Sequence, residues 1–457
     1  MTAGRPALVA LAAVTTVTAV VSSLGAPMVP GIAAAYDVPL STAQWALTAT
    51  LIAGAAVTPL LGRVATGPLR RPLILAGLAV VLAGTVLSAL APGFGALVVG
   101  RALQGVGLSL VPLALAAARD AWPGADLAPR LALLSVTTVA GAGLGYPVAA
   151  LVAGVAGISG AYWFGAALVG LTLCLCARHL PRRALGDPQE VDLVGATILV
   201  AGTVAVLLAV SQGERWGWTA PRTLGLLLGG AAVLGLWVAW TVWWSRRGRR
   251  PLVDLALAVR PGVVGPNLVT FALGLAMYGL LTLVVLLVEG DEGFGLGYGV
   301  EVAGLVLVPY ALCSVGGNRL ALAVARRRGG HVLLPVGCVV FSSSMVLLAL
   351  AHTHLWQALL VMAIGGLGSG FTFSSLPMLI VPHVPPTETG SAMAFNQLLR
   401  YLGFSVGSVA SIALLEGYGE GPAAFRAAAF TLAAVCLVTG AAAVAMDRRA
   451  DGDPSHS

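Results

Sequence analysis

The stretch WALTATLIAGAAVTPLLGRVATGPLRRPLILAGLAVVLAGTVLSALA, residues 45–91, contains two apolar runs joined by a short turn rich in arginine. Each run is about 20 residues long, which as a helix rising 1.5 Å per residue crosses the roughly 30 Å hydrocarbon core of a bilayer. Arg63, Arg70 and Arg71 lie near the turn, where their side chains can reach lipid headgroups. The stretch therefore predicts two membrane-spanning helices with a basic connection.

The same pattern of apolar runs continues along the whole chain. Its 457 residues are 58% hydrophobic and 9% charged, whereas a soluble domain is about 25% charged. A soluble fold of this size would lack the polar residues needed to cover its surface. We predict an all-α integral membrane protein with about fourteen spans, at residues 7–29, 45–65, 72–91, 96–117, 131–155, 161–180, 193–211, 223–244, 262–288, 303–325, 332–351, 355–381, 391–415 and 423–446.

The arginines predict the orientation of these spans. All 25 basic residues are arginines. If the N-terminus is cytoplasmic, nineteen of them fall on the cytoplasmic side, and only Arg215, Arg222 and Arg426 fall on the other side. By the positive-inside rule we expect both termini to be cytoplasmic, in a multi-pass plasma-membrane protein. This alternation also argues against a nucleic-acid partner, despite the net charge of +7.

Short glycine patterns occur twice at matching places. The fourth span contains QGVG at 104–107 and the twelfth contains LGSG at 367–370. The fifth and thirteenth spans each carry glycines four residues apart, Gly141 with Gly145 and Gly403 with Gly407. Duplicated halves around a midplane site are an architecture of membrane transporters. Small residues at this spacing also occur wherever membrane helices pack closely, so the repeat alone does not decide the function.

Five segments together resemble the major facilitator superfamily, and within it the fourteen-helix drug:proton antiporter branch. They are the second span with its following loop, from Trp45, then RALQGVG from Arg101, GERWGW from Gly213, RRPLVDLAL from Arg249 and PPTETGSAMAFNQLLRYLG from Pro385. The resemblance covers nearly the whole chain. It implies an N-terminal six-helix bundle at 1–181, two linking helices at 182–250, a C-terminal six-helix bundle at 251–446 and a cytoplasmic tail at 447–457.

The chain departs from the family pattern at three places. In the loop after the second span, Thr66 stands where the family has Asp and Leu69 where it has Gly, which removes the carboxylate of the family's cytoplasmic latch. The antiporter pattern of the fifth span is only partly matched around Pro147. In the first span, Val21 occupies the position at which relatives of this branch often carry a proton-binding acid.

Two arginines within spans are the main candidates for a substrate or proton pathway. Charge in hydrocarbon costs about 2.5–3.5 kcal/mol even on lenient insertion scales, so each needs a reason. Arg101 shares a helical face with Gln104, and the family resemblance implies a role in coupling; the alternative is an arginine satisfied by backbone carbonyls. Arg400 shares a face with Asn396 and Gln397, which favours substrate binding and hydrogen bonding between helices equally.

Further candidates complete the predicted pathway and its gates. Asn267 lies on a polar stripe of the ninth span, and Glu289 and Glu301 are the acids nearest the membrane interior, which makes them candidates for a titrating group. Residues expected in gating or conformational change are Arg63, Arg70, Arg71, Asp120, Arg130, Gly141, Gly145 and Pro147.

These observations favour a secondary transporter. We expect a monomeric exporter of small amphipathic molecules that works by alternating access, with a proton gradient as its energy source and no cofactor or metal. Because its mid-span charges are arginines, we expect an anionic, zwitterionic or neutral substrate. An importer or uniporter of the same fold and a transport-inactive sensor remain as alternatives. The sequence contains no metal-ligand spacing, phosphate loop or nucleophile motif that would indicate an enzyme.

Overall fold

The structure is a computed structural model that describes residues 4–25, 28–43, 45–65, 69–122, 124–181, 192–217, 219–290, 295–419 and 421–451. These residues form helices and short connections, and none of them lies in a β-strand. The prediction of an all-α protein is therefore confirmed for the described part of the chain. Thr66, which replaces the family's loop Asp, lies outside the described residues.

By its internal contacts the chain divides into two compact units. Unit 1 comprises Met1–Leu255 together with Val384–Leu398, and unit 2 comprises Ala256–His383 together with Leu399–Ser457. The two predicted linking helices thus belong to unit 1.

Unit 1 contains ten helices along its main segment. They are α1 (Arg5–Ser23), α2 (Val29–Ala35), α3 (Leu40–Ala43), α4 (Trp45–Val64), α5 (Arg70–Ala89), α6 (Phe94–Gly105), α7 (Leu110–Ala121), α8 (Leu127–His179), α9 (Leu193–Trp216) and α10 (Pro221–Arg246). A single 3₁₀ turn, Val106–Ser109, joins α6 to α7, so together they form the predicted fourth span.

The short helix α11 (Leu255–Ala258) lies at the boundary between the units. The helices that follow are α12 (Val264–Glu289), α13 (Val300–Arg328), α14 (Leu333–Leu350), α15 (Leu355–Ile380), α16 (Thr389–Tyr418) and α17 (Pro422–Asp451). The first ten residues of α16 are assigned to unit 1 and the rest to unit 2.

Thirteen helical stretches within the described residues are long and apolar enough to cross a bilayer. They agree with thirteen of the fourteen predicted spans. The fifth predicted span, 131–155, lies in the first part of α8, where the described apolar stretch Leu127–Thr138 is shorter. Gly157 has φ 72° and ψ 178°, a conformation that breaks the helix there. This break separates the fifth span from the sixth.

Large apolar side chains on the outside of these helices indicate a lipid-facing surface. Leu151, Val155 and Leu228 are 70%, 85% and 68% exposed. A soluble monomer rarely presents apolar surface of this extent to water. Exposed apolar side chains are favourable in hydrocarbon. Because lipid offers no hydrogen-bond partners, the backbone N–H and C=O groups must pair with each other, as they do in a helix.

The glycine patterns that occur twice have matching packing roles in the two units. In unit 1, Gly105 of the fourth span lies directly against the backbone of the second span at Thr50. In unit 2, Gly370 of the twelfth span lies directly against the backbone of the tenth span at Ser314. Because any side chain at these glycines would meet a carbonyl oxygen, the helix pairs approach at backbone distance. The weak sequence repeat therefore reflects equivalent helix contacts.

The contact between α13 and α15 generates a stability prediction. A Cβ at Gly317 would lie 2.7 Å from the Phe371 backbone nitrogen, whereas a Cβ at Gly304 on the same helix would meet nothing within 4 Å. We expect Gly317→Ala to lower the thermal unfolding midpoint of the detergent-solubilised protein, since overpacking costs about 1–3 kcal/mol. Gly304→Ala, the matched control, should leave the midpoint unchanged or raise it. Equal midpoints for the two variants would contradict the described contact.

Candidate functional site

The guanidinium group of Arg101 is fully buried in unit 1 and is held by protein acceptors. Its Nε donates to the Ala46 carbonyl oxygen at 2.8 Å. Its Nη1 donates to the Val21 carbonyl oxygen at 3.0 Å and to Gln104 Oε1 at 2.6 Å, and its Nη2 donates to the Ser22 carbonyl oxygen at 3.2 Å. Arg101 thus connects α6 to the end of α1 and to the start of α4.

Gln104 extends this network to a fourth helix. While its Oε1 accepts from Arg101, its Nε2 donates to Ser88 Oγ of α5 at 3.0 Å. Thr50 Oγ1 in turn donates to the Arg101 carbonyl oxygen at 3.0 Å. Hydrogen bonds to a charged group contribute about 1.5–3 kcal/mol each. The network therefore ties α1, α4, α5 and α6 together around one buried charge.

Val21, which occupies the position of the family's first-span acid, lies beside Arg101. The Val21 backbone carbonyl oxygen accepts a hydrogen bond from Arg101 Nη1. The coupling role expected for Arg101 and Gln104 stays a prediction. The geometry itself corresponds to the alternative reading, in which backbone carbonyls satisfy the arginine.

A second polar cluster lies where α4 ends and α16 begins, within unit 1. Arg63 Nη1 lies 2.6 Å from Glu388 Oε2, and the two side chains are 1% and 12% exposed. Arg119 Nη1 donates to Thr389 Oγ1 at 2.6 Å and to the Val384 carbonyl oxygen at 2.8 Å. We call this set of contacts on residues 384–398 the α16 latch.

The backbone of the α16 latch is also closely packed. A Cβ added at Gly62 would lie 2.8 Å from the Gly390 carbonyl oxygen. Ser391 Oγ donates to the Leu252 carbonyl oxygen at 2.9 Å, and Ser391 is 4% exposed. The sequence predicted Arg63 as a gating residue but did not predict Glu388 and Arg119. Both lie near the ends of spans, where charged residues are common and indicate no particular role.

The other predicted gating residues hold neighbouring helices. Arg70 forms an ion pair with Asp120, and its Nε donates to the Ala65 carbonyl oxygen at 3.1 Å. Arg71 Nη2 donates to the Ala177 carbonyl oxygen of α8 at 2.7 Å. These contacts place both arginines at helix ends, as expected for the turn after the second span.

The remaining gating candidates lie on or beside α8. Arg130 pairs with Asp126 at 3.0 Å, and this pair is partly exposed. Gly141 is buried against the Thr16 backbone of α1, and Gly145 is buried as well. The side chain of Pro147 lies outside the described residues.

Arg400 of unit 2 has surroundings unlike those of Arg101. Its Cζ lies 4.2 Å from the centre of the Phe373 ring, and its buried Nε has no hydrogen-bond partner among the described residues. Among the described residues, no carboxylate lies within ion-pair distance of it. A cation over an aromatic face gains about 0.5–2 kcal/mol, less than a charge-assisted hydrogen-bond network supplies.

Arg400 lies over the Phe373 ring of α15, which is linked through Phe404 to further aromatic rings on α12 and α16. The Tyr278 and Phe404 rings stack with centroids 4.5 Å apart, and Phe373 and Tyr401 meet Phe404 edge to face at 6.4 and 6.3 Å. We call these five residues the Arg400 cluster. Its aromatic members were not predicted, because they come from three helices that are distant in sequence.

The other predicted pathway residues lie on α12, α13 and α16. Asn267 Nδ2 donates to the Ala258 carbonyl oxygen at 3.2 Å, which ties α12 to α11. Asn396 is buried and Gln397 partly buried, and both are assigned to unit 1. Glu289 is exposed at the end of α12, and the Glu301 side chain lies outside the described residues. Their expected roles stay predictions.

A sequence model of the major facilitator superfamily matches residues 11–408, with a second match over 267–456. The chain belongs to the major facilitator superfamily. It is accordingly a multi-pass membrane protein of a transporter family, and the family and fold predicted from its motifs are confirmed. The expectation that it is not an enzyme agrees with this assignment.

Curated relatives in this superfamily include drug and antibiotic transporters. The chain is 26% identical over 390 residues to the "Probable actinorhodin transporter" of Streptomyces coelicolor, which covers 83% of this chain and 66% of that protein. It is 26% identical over 350 residues to "Multidrug resistance protein Stp" of Mycobacterium tuberculosis, which covers 74% of this chain and 62% of that protein. The match thus spans less than two thirds of each relative's length.

The fold also agrees with a solved major facilitator structure. The human organic anion transporter MFSD10 (TETRAN) superposes with a TM-score of 0.68, covering 96% of this chain and 99% of that one. The sequence identity is 16%, so this similarity shows the fold alone.

The Arg101 network predicts a strong dependence of stability on the guanidinium group. Lysine keeps the charge but lacks the planar fork, so Arg101→Lys leaves several buried acceptors unsatisfied. We expect the variant to lose about 2–5 kcal/mol of unfolding free energy, seen as a lower thermal unfolding midpoint in detergent. Arg130→Lys, at a partly exposed ion pair, should change the midpoint little. A midpoint for Arg101→Lys equal to that of Arg130→Lys would contradict the structural role of Arg101.

Proposed function

We propose that this protein exports small amphipathic molecules, such as drugs, antibiotics or related metabolites, across the plasma membrane by alternating access. The family match over residues 11–408 carries the proposal, and curated relatives named as actinorhodin and multidrug transporters support the substrate range. The connections between spans are short, so the work is performed within the bilayer and at its faces. The arginine distribution supports an orientation with both termini in the cytoplasm.

We further propose that proton entry drives export. A proton-coupled cycle needs a carboxylate whose charge state changes a contact. Within the described part of the chain, Asp120 and Glu388 are the acids paired with a largely buried arginine, Arg70 and Arg63 respectively. Neutralising either acid would leave a cation uncompensated in a region of low dielectric, which destabilises the paired state.

The α16 latch supplies the conformational step of this proposal. In the family the loop after the second span carries the latch carboxylate, and here Glu388 of the facing segment supplies a carboxylate to Arg63 instead. Release of residues 384–398 from α4 and α7 would free the start of α16. We assign this release to the change between the two access states, on the side that the arginines mark as cytoplasmic.

Flux measurements in everted membrane vesicles test the function. With a proton gradient imposed, vesicles containing the protein should accumulate members of a drug and dye panel faster than vesicles lacking it. Collapse of the gradient should abolish the difference. Equal flux with and without the gradient would favour a uniporter, uptake in the opposite direction an importer, and no flux of any compound a sensor. Each of these three results would contradict proton-driven export.

The α16 latch predicts a specific change in accessibility. Ser391→Cys places a thiol under the latch with little change in shape, at a residue that is 4% exposed. In this background Glu388→Gln should speed labelling of residue 391 by N-ethylmaleimide about 10-fold, because the loss of one partner of a buried pair is strongly destabilising. Mass spectrometry of the labelled peptide measures the rate.

Asp126→Asn is the matched control for this experiment. It removes the carboxylate from a pair in which Asp126 is 64% exposed, and should leave the labelling rate at residue 391 unchanged. Equal labelling rates in the Glu388→Gln and Asp126→Asn backgrounds would show that Glu388 does not hold the segment.

A further inference from the structure

We propose that the Arg400 cluster binds a planar aromatic anion, such as an aromatic carboxylate, and thereby sets the substrate class of the transporter. The inference deepens the proposed function and rests on it. It names one chemical class of substrate, whereas the names of the relatives indicate only drugs and antibiotics in general.

The charge of the cluster is the first argument. Arg400 lies within an apolar helix, its Nε is buried without a hydrogen-bond partner, and an aromatic face is its described neighbour. Arg101 shows that this chain can satisfy a buried guanidinium with carbonyl oxygens when the arginine serves the fold. Among the described residues, no acceptor lies within hydrogen-bond distance of the Arg400 Nε. A carboxylate would satisfy the guanidinium in a bidentate arrangement, which is the pairing that its planar fork favours.

The rings of the cluster are the second argument. Tyr278 and Phe404 stack at an interplanar angle of 25°, while Phe373 stands at 84° to Phe404. These rings therefore present faces in two nearly perpendicular orientations. A planar aromatic ligand can stack on one of them and meet the other edge to face. An aliphatic acid would gain the charge pairing without the ring contacts.

The burial pattern gives a ligand access to the cluster. Phe373 and Tyr401 are buried, at 7% and 4% exposed, and form its inner side. Tyr278, Phe404 and Arg400 are each only partly buried. A ligand would therefore approach the cluster from the side of Tyr278, Phe404 and Arg400.

The close backbone contact beside Arg400 fixes this geometry. A Cβ at Gly274 of α12 would lie 3.0 Å from the Arg400 carbonyl oxygen and 3.3 Å from Phe404 Cδ1. α12 and α16 therefore meet at backbone distance where their rings stack. A preformed site of this kind spends little binding free energy on ordering its side chains.

The same features exclude lipophilic cations from the cluster. Among the described residues the cluster contains one cation and no acid, so a positively charged ligand would meet repulsion from Arg400. The cation–π capacity of Phe373 is already occupied by Arg400. Selection between anions and cations thus comes from a repulsive element as well as an attractive one.

Equilibrium dialysis of 1-naphthoate against the purified, detergent-solubilised full chain tests the inference. Two companion probes separate charge from ring: 1-naphthamide has the same rings without the charge, and cyclohexanecarboxylate has the charge without the rings. We expect each companion to bind at least about 10-fold more weakly than 1-naphthoate. Equal binding of 1-naphthoate and 1-naphthamide would overturn the proposal without recourse to any variant.

Variants assign the binding to the cluster. Arg400→Gln should weaken 1-naphthoate binding at least about 10-fold, and Phe404→Leu should weaken 1-naphthoate more than cyclohexanecarboxylate. Arg319→Gln is the matched control, since Arg319 is an exposed span arginine of the same unit, and it should bind 1-naphthoate within about 2-fold of wild type. Wild-type affinity in Arg400→Gln would overturn the proposal.

Flux in everted vesicles distinguishes failure of this inference from failure of the proposed function. If the protein exports dyes from the panel but 1-naphthoate binds independently of Arg400, the aromatic-anion site is wrong and transport stands. If 1-naphthoate binds through Arg400 but no compound is moved, the site stands and transport is wrong.

Discussion

A guanidinium group in a lipid-embedded fold must have its donors satisfied, and the structure depends on how Arg101, Arg63 and Arg400 meet this demand. Arg101 uses backbone carbonyls and one glutamine. Arg63 uses a carboxylate, Glu388. Arg400 has an aromatic face and a buried Nε without a partner. Because desolvation of an arginine is costly, we infer from these differences that Arg101 serves the fold, and we propose that Arg63 serves the conformational change and Arg400 ligand binding.

The contacts of each arginine also bear on which parts of the protein can move. The Arg101 network ties four helices and leaves its acceptors occupied, so it favours a unit that moves as a body. The α16 latch joins one segment to α4 and α7 through an ion pair and a few hydrogen bonds, a set small enough to open and close. Rocking of rigid helix groups around a fixed site is the motion that alternating access requires.

Much of the fold could be predicted from the sequence, since a bilayer imposes long apolar runs and sorts charge by side. The site could be predicted only in part. The acceptors of Arg101 are carbonyls of Val21, Ser22 and Ala46, and every residue type has a carbonyl, so no pattern marks them. Glu388 lies two residues after Pro386, in a segment whose composition is typical of a solvated loop. The rings beside Arg400 come from residues up to 126 positions apart in sequence, Tyr278 to Phe404, which helical periodicity does not relate.

The central claim is that Arg101 stabilises the fold whereas Arg400 binds a ligand. Thermal unfolding of Arg101→Gln and Arg400→Gln without ligand, in the same detergent, tests this claim most directly. If Arg101 serves the fold and Arg400 a ligand, Arg101→Gln lowers the unfolding midpoint, while Arg400→Gln unfolds no earlier than wild type because it removes an unsatisfied charge. An equal loss of stability in both variants would contradict the account, since it would show that Arg400 is also held by the fold.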